Sequence, residues 1–183
     1  MGTGAAAIAG CGGGDALPPV VPIGAAGPHR PGSLVAAIAH GRPVGRLACR
    51  ADRPPGELAH VELFGGGLGV VVPAGIGVAP PRSRVGAYVR GGRCTYPLAT
   101  REPTGVVELA AGTRPTLGDL FALLGQPLGR RRMGGFRAPV RAWLDGREWH
   151  GPLTRLPLRR HAQVVVAAGP QEVPVHASYA FAR

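Results

Sequence analysis

The chain has 183 residues, of which 45% are hydrophobic, so one domain of ordinary size can bury a core. Its net charge is +11, and all 21 basic residues are arginine. The replacement of lysine by arginine throughout is typical of high-GC coding bias, and the charge is spread evenly along the chain. The charge therefore does not by itself indicate nucleic-acid binding. The 31 glycines and 20 prolines favour disorder in part of the chain. No run of 18 apolar residues is present, which excludes a membrane span within this sequence.

The string Ile8-Ala9-Gly10-Cys11, followed by three glycines, resembles a bacterial lipobox. In a lipobox the cysteine is acylated and becomes the first residue of the mature protein, so Cys11 is the predicted lipidation site. Residues 1–10 lack the basic region and the full apolar region of a signal peptide, so either the start codon lies upstream or the match is accidental. We expect an extracytoplasmic lipoprotein with a truncated signal at residues 1–11.

Residues 12–43 are rich in proline and glycine, which predicts a flexible or extended tether. Within this stretch, Ser33 to Ala39 is either a short helix or a signal-like apolar patch. We expect the folded domain to span residues 44–183.

Several short segments of the folded region predict strands, because apolar residues alternate or cluster in them and glycine or proline separates them. The predicted strands are residues 60–64, 68–73, 85–89, 105–109, 140–144, 147–149 and 164–166. Gly65-Gly66-Gly67 and Asp145-Gly146 predict the turns of two hairpins.

One helix is predicted after Thr116, whose hydroxyl suits the N-cap position with Asp119 at N3. Four residues have the spacing of one buried helical face, namely Leu117, Leu120, Phe121 and Leu124. Gly125 and Pro127 end the helix. The order of hairpin, strand, helix, hairpin and strand predicts an α+β fold in which one helix packs on a small, largely antiparallel sheet.

The sequence has three cysteines, and an even pair left after acylation of one of them would suit an oxidising compartment. If Cys11 is acylated, Cys49 and Cys94 remain as an even pair and are predicted to form a disulfide. The alternative is two buried free thiols. No Cys-x-x-Cys pair is present, which argues against a thioredoxin-like or zinc-ribbon protein.

The predicted order of elements resembles the β-grasp fold of ubiquitin and of the sulfur carriers of thiamine and molybdopterin synthesis. Residues 107–120 resemble the strand-to-helix passage of those proteins, and residues 156–166 resemble their entry into the last strand. A sulfur carrier needs a Gly-Gly terminus, whereas this sequence has Phe181-Ala182-Arg183 there. The resemblance therefore implies a β-grasp-like architecture rather than sulfur transfer.

Motifs from Cys49 onwards resemble a family of uncharacterised exported or membrane-anchored actinobacterial proteins. The matching segments are 60–64 (HVELF), 72–77 (VPAGIG), 94–98 (CTYPL), 116–121 (TLGDLF), 125–128 (GQPL) and 178–181 (SYAF). The VPAGIG segment followed by Cys-x-Tyr-x-Leu is the most specific part of this pattern, whereas the hairpins are generic.

The family resemblance implies a histidine cluster suited to zinc or copper, because such proteins have His-x-His-x-His, His-Thr-His-Asp and a further strand histidine. Here His60 matches one position of that cluster, whereas Ala99, Arg101, Glu102 and Glu108 replace others. The reduced ligand set that remains is His60, Glu62, Glu102 and Glu108. We therefore expect no bound cofactor, with zinc or copper binding as an alternative. Arg101 is expected to pair with Glu102 or Glu108.

The densest group of arginines lies in residues 128–160 and could bind phosphate or an anionic polymer. The candidate anion-binding residues are Arg130, Arg131, Arg132, Arg159 and Arg160. Alternatively, these arginines belong to an ordinary solvent-exposed surface and bind no anion. For an exported protein the available anions are lipid headgroups and wall polymers.

No serine lies in Gly-x-Ser-x-Gly and no glycine run has a P-loop ending, so no catalytic residue is predicted. We expect a non-catalytic binding or interaction module of the cell envelope. Its expected partners are the membrane, through the lipid anchor, and an envelope ligand or protein, but not nucleic acid.

Overall fold

The computed structural model describes residues 20–23 and 33–181, so Cys11 and the lipobox lie outside the described residues. In chain order the elements are β1 Val20–Pro22, α1 Ser33–Ala39, β2 Pro55–Gly65, β3 Leu68–Val71, β4 Ser83–Val85, β5 Tyr88–Gly91, β6 Leu98–Ala99, β7 Val106–Ala110, α2 Leu117–Leu124, β8 Leu128–Gly129, β9 Arg132–Met133, β10 Val140–Leu144, β11 Arg147–Glu148 and β12 Gln163–Ala168. Each predicted strand overlaps an observed strand, and the predicted helix is α2. The α+β fold class is confirmed.

The long strand β2 is the centre of an eight-stranded mixed sheet. Along one edge of β2, β7 pairs antiparallel with its first half and β3 pairs antiparallel with its last three residues. Along the other edge, β12 runs parallel to β2 over six residue pairs, from His60 and Gln163 to Gly65 and Ala168. Strand β10 pairs antiparallel with β12, and β11 pairs antiparallel with β10. The sheet is extended by β6 beside β7 and by β1 beside β3.

Helix α2 covers one face of this sheet, and its ends follow from its sequence. The Thr116 backbone N–H donates to the Asp119 carboxylate at 2.8 Å, and the Asp119 backbone N–H donates to the Thr116 hydroxyl at 3.3 Å. This reciprocal pair is the predicted capping box. Gly125 ends the helix with φ +70°, in the left-handed region that glycine adopts without strain. The buried helix residues are Leu117, Leu120, Phe121 and Leu123.

The folded structure extends into the segment predicted to be a tether. Strand β1 pairs in parallel with β3, and the adjoining Ile23 is buried. Helix α1 contacts α2, and its Ile38 belongs to the same hydrophobic core. Because both segments bury an isoleucine against the sheet and helix, the described part of residues 12–43 belongs to the domain.

The predicted disulfide is confirmed, since Cys49 and Cys94 are bonded across 45 residues of sequence with their Cα atoms 5.5 Å apart. Next to it, Arg50 and Thr95 exchange two backbone hydrogen bonds of 3.0 and 2.8 Å. The disulfide therefore joins the segment before β2 to the segment before β6. None of the helices in the described ranges has the length and apolar character needed to cross a membrane.

Candidate functional site

The two faces of the sheet differ in chemistry because successive strand residues point to opposite sides. On the core face, β2 contributes Ala59, Val61 and Leu63, all buried against the main hydrophobic cluster. On the opposite face, the same strand contributes His60 and Glu62. A long central strand therefore places a histidine and a carboxylate on the face opposite the main hydrophobic core.

A segment after β12 lies across this second face. We call residues 170–181 the C-terminal strap. Val173 of the strap packs with the hydrophobic cluster of Trp143, Val165 and Ala167. Further along, His176 Nδ1 lies 2.8 Å from a carboxylate oxygen of Glu62. The strap is thus attached to the sheet through side chains of several strands.

Aromatic rings at the end of the strap stack on two histidines, of which His60 is buried and His161 is exposed. The Tyr179 ring stacks on His60 with ring centroids 3.8 Å apart, and the Phe181 ring stacks on His161 at 5.0 Å. Tyr179 and Phe181 also meet edge to face at 5.0 Å. Only 5% of the His60 surface is exposed as a result.

Both ring nitrogens of His60 are engaged by oxygen atoms. Nδ1 lies 2.8 Å from the side-chain oxygen of Gln163, and Nε2 lies 2.9 Å from the Thr104 backbone carbonyl. The Gln163 amide nitrogen donates in turn to Glu62 at 3.1 Å. A backbone carbonyl can only accept, so Nε2 is the donor in its contact with Thr104 and has no lone pair to offer to a metal there.

Arg101 fixes the loop between β6 and β7 against the hairpin of β4 and β5. Its Nε donates to the Glu108 carboxylate at 2.8 Å, and its Nη1 donates to the Arg90 carbonyl at 3.0 Å. The Val89 backbone N–H donates back to the Arg101 carbonyl at 2.9 Å. Of the two expected partners of Arg101, Glu108 is the one that it binds, whereas Glu102 is exposed.

Between the hairpin, the loop and the strap lies a cavity of about 270 Å³. Its walls combine three aromatic rings, three charged side chains and a small apolar floor. The lining residues are Leu58, Tyr88, Arg101, Glu102, Thr104, Val106, Glu108, Tyr179 and Phe181. This is a concave, largely apolar space with a few polar groups, the general character of a small-molecule site.

The two most specific sequence motifs contact each other, although none of their residues lines this cavity. The buried hydroxyl of Thr100 donates to the Pro73 carbonyl at 2.7 Å and accepts from the Ile76 backbone N–H at 3.0 Å. Gly77 adopts φ +68°, and a Cβ at this position would collide with the Leu98 carbonyl oxygen. The VPAGIG segment therefore packs directly on the strand that leads into the Arg101 loop.

The predicted metal ligands are only partly brought together. His60 and Glu62 are neighbours, with 3.6 Å between Nδ1 and Oε1, but Glu108 is held by Arg101 and Glu102 projects at the cavity edge. Among residues 20–23 and 33–181, no three His, Cys, Asp or Glu side chains are grouped so that they could hold a metal ion. The residues do not fit a zinc or copper centre of the expected kind.

The five predicted anion-binding arginines fall in two places. Arg130 and Arg131 form the turn of the β8–β9 hairpin with Arg132 beside them, and the Arg130 carbonyl accepts from Val140 at the start of β10. Arg159 instead forms an ion pair with Asp145, which follows the other end of β10. The two groups therefore lie near opposite ends of β10.

Several residues of the cavity were not identified from the sequence as site residues. Tyr88 lies on a mostly exposed hairpin, and Tyr179 and Phe181 lie in a segment without regular structure. Tyr179 and Phe181 are separated by one alanine, so in an extended segment both rings lie on the same side. This spacing was the sequence feature that could have indicated a paired aromatic contact. His176 of the same segment also had no role predicted from the sequence, yet it contacts Glu62.

Comparisons of the chain with protein-family models, with curated proteins and with solved structures gave no match. A functional proposal for this chain therefore rests on the geometry of the cavity and on the chemistry of the residues around it.

Proposed function

We propose that this protein is a non-catalytic binding module of the cell envelope, attached to the membrane by acylation of Cys11. The lipobox-like string supports the anchor, and the Cys49–Cys94 disulfide is of a kind that persists outside the reducing cytosol. The domain itself is proposed to be β-grasp-like. The support is its chain order, in which the hairpin β2–β3, helix α2 and hairpin β10–β11 precede a last strand parallel to β2.

The ligand site is the cavity lined by the strap, and the observation behind it is the combination of rings and carboxylates around one space. Tyr88, Tyr179 and Phe181 supply flat apolar surfaces, which attract organic cations as well as apolar groups. Arg101 neutralises Glu108, whereas Glu102 has no ion-pair partner among the described residues. The cavity therefore suits a small organic amine with an apolar body.

The test uses 2-phenylethylamine as the probe and 2-phenylethanol as its neutral counterpart. In NMR titrations of the full chain we expect the amine to shift the backbone signals of Tyr88, Glu102 and Tyr179, with weaker effects from the alcohol. Replacing Glu102 with Gln removes the uncompensated charge and should weaken amine binding by about threefold to tenfold.

Glu57→Gln is the matched control, because Glu57 is an exposed carboxylate on β2 outside the cavity lining. It should leave the affinity unchanged. Equal binding of amine and alcohol, or equal weakening by both substitutions, would contradict the proposed ligand class.

A further inference from the structure

A second concavity, of about 410 Å³, lies beside the disulfide and away from the strap. It is bounded by the segment that follows Cys49 and by the end of β7 with the turn after it. Its charged lining residues are Arg46, Arg50, Asp52 and Arg53. None of these belongs to the arginine groups predicted from the sequence.

Arg53 is held in this concavity by neutral acceptors. Its Nε donates to the Thr95 carbonyl at 3.2 Å, and its Nη2 donates to the Ala48 carbonyl at 3.3 Å. A guanidinium has five N–H donors, so three remain for a ligand. Burial lowers the pKa of Arg53, and the neighbouring Arg50 lowers it further. An anion placed between these two arginines would offset the repulsion between their charges.

The disulfide fixes the groups that orient Arg53. The two carbonyls that accept from Arg53 belong to Ala48 and Thr95, the residues next to Cys49 and Cys94. The backbone of Arg50 is fixed by its two hydrogen bonds with Thr95. The arginine side chains are therefore presented from a crosslinked and hydrogen-bonded frame, which lowers the entropy lost on binding.

The balance of charge in the concavity is positive. Arg46 is compensated by Asp119 and also donates to the Arg114 carbonyl at 3.1 Å. Within the described residues, neither Arg50 nor Arg53 forms an ion pair with a carboxylate, although Asp52 also lines the space. A planar guanidinium fork matches the oxygens of a phosphate group, and charge-assisted bonds of this type are among the stronger ones.

We propose that the concavity between Arg50 and Arg53 is a binding site for a phosphate group. The same chemistry would recognise inorganic phosphate and the phosphodiester headgroup of an anionic lipid. This site is separate from the amine cavity, so either one can fail without affecting the other.

The experiment measures two kinds of binding with the oxidised full chain. In one arm, inorganic phosphate is titrated while the Nε–H signals of arginine side chains are followed by NMR. In the other arm, co-sedimentation with phosphatidylglycerol vesicles is compared with co-sedimentation with phosphatidylcholine vesicles. A shift of the Arg53 signal on addition of phosphate assigns free phosphate as a ligand. Binding to phosphatidylglycerol vesicles but not to phosphatidylcholine vesicles, without a shift by free phosphate, assigns the lipid headgroup.

Arg50→Ala removes an exposed arginine of the site and should weaken binding by about fivefold to tenfold. Arg53→Lys keeps the charge but lacks the planar guanidinium group with its paired N–H donors, so it should weaken binding. Circular dichroism should show that this variant keeps the fold. Arg84→Ala is the matched control, since it removes one exposed arginine from β4 that lines neither cavity. Failure of both arms, or equal weakening by Arg84→Ala and Arg50→Ala, would overturn the proposal.

Discussion

Tyr96 connects the segment before β6 to the N-terminal part of the domain through one buried hydroxyl. The ring is fully buried, and its hydroxyl donates to the Arg42 carbonyl at 2.6 Å. Burial raises the pKa of Tyr96 above its usual value of about 10, because the charged phenolate loses its hydration. This residue therefore links the stability of the fold to alkaline pH.

The expected pH dependence follows from the two states of Tyr96. In the unfolded chain the phenol ionises near pH 10, whereas in the folded chain it stays protonated to higher pH. Its contribution is therefore complete below about pH 10 and is lost as pH rises through the folded pKa. The free energy of unfolding in urea, measured from about pH 8 to 11, should fall more steeply for the wild type than for Tyr96→Phe.

At pH 8 the Tyr96→Phe variant should be less stable by about 1 to 2 kcal/mol, because the Arg42 carbonyl loses its partner. Tyr88→Phe removes an exposed hydroxyl on β5 and serves as the control, with the wild-type pH profile expected. Identical alkaline slopes for wild type and Tyr96→Phe would show that Tyr96 is not the group responsible.

The C-terminal strap is the element whose removal should change the second sheet face most directly. Tyr179→Ala deletes the ring that stacks on His60, so the imidazole should become accessible to solvent. We expect diethyl pyrocarbonate to modify His60 in the variant but not in the wild type, as read by peptide mass spectrometry. The loss of the ring contact should cost about 1 to 2 kcal/mol of stability.

Val175→Ala provides a comparison within the same strap, since Val175 is exposed and contacts neither histidine ring. It should leave His60 protected. Modification of His60 in the wild type at the rate of an exposed histidine such as His150 would mean that the strap does not cover this face.

Elements with local determinants were predictable from the sequence, and elements with distant partners were not. The ends of α2 are set by Thr116, Asp119 and Gly125, all within one short segment. By contrast, the contact between Glu62 and His176 joins residues 114 positions apart, and no local periodicity reports it. The pairing of β1 with β3 was also missed, because β1 is a three-residue strand in a segment rich in proline and glycine.

At the scale of the whole molecule, the disulfide is the main covalent restraint on the unfolded chain. For a loop of 45 residues, the chain-entropy model gives about 4 kcal/mol of stabilisation. A Cys49→Ser/Cys94→Ser variant in a Cys11→Ser background should lose a comparable amount, measured by urea unfolding against Cys11→Ser alone. Reduction of the Cys11→Ser chain with dithiothreitol should give the same loss, and an undiminished stability in either case would contradict the estimate.

The order in which the strands appear along the chain also affects how the protein folds during synthesis. His60 and Gln163 are neighbours across β2 and β12, yet they are 103 positions apart. At translation rates of about 5 to 20 residues per second, β12 is synthesised about 5 to 20 s after β2. Until then the second edge of β2 has no partner strand. During that interval the central strand is open to chaperones and to other chains.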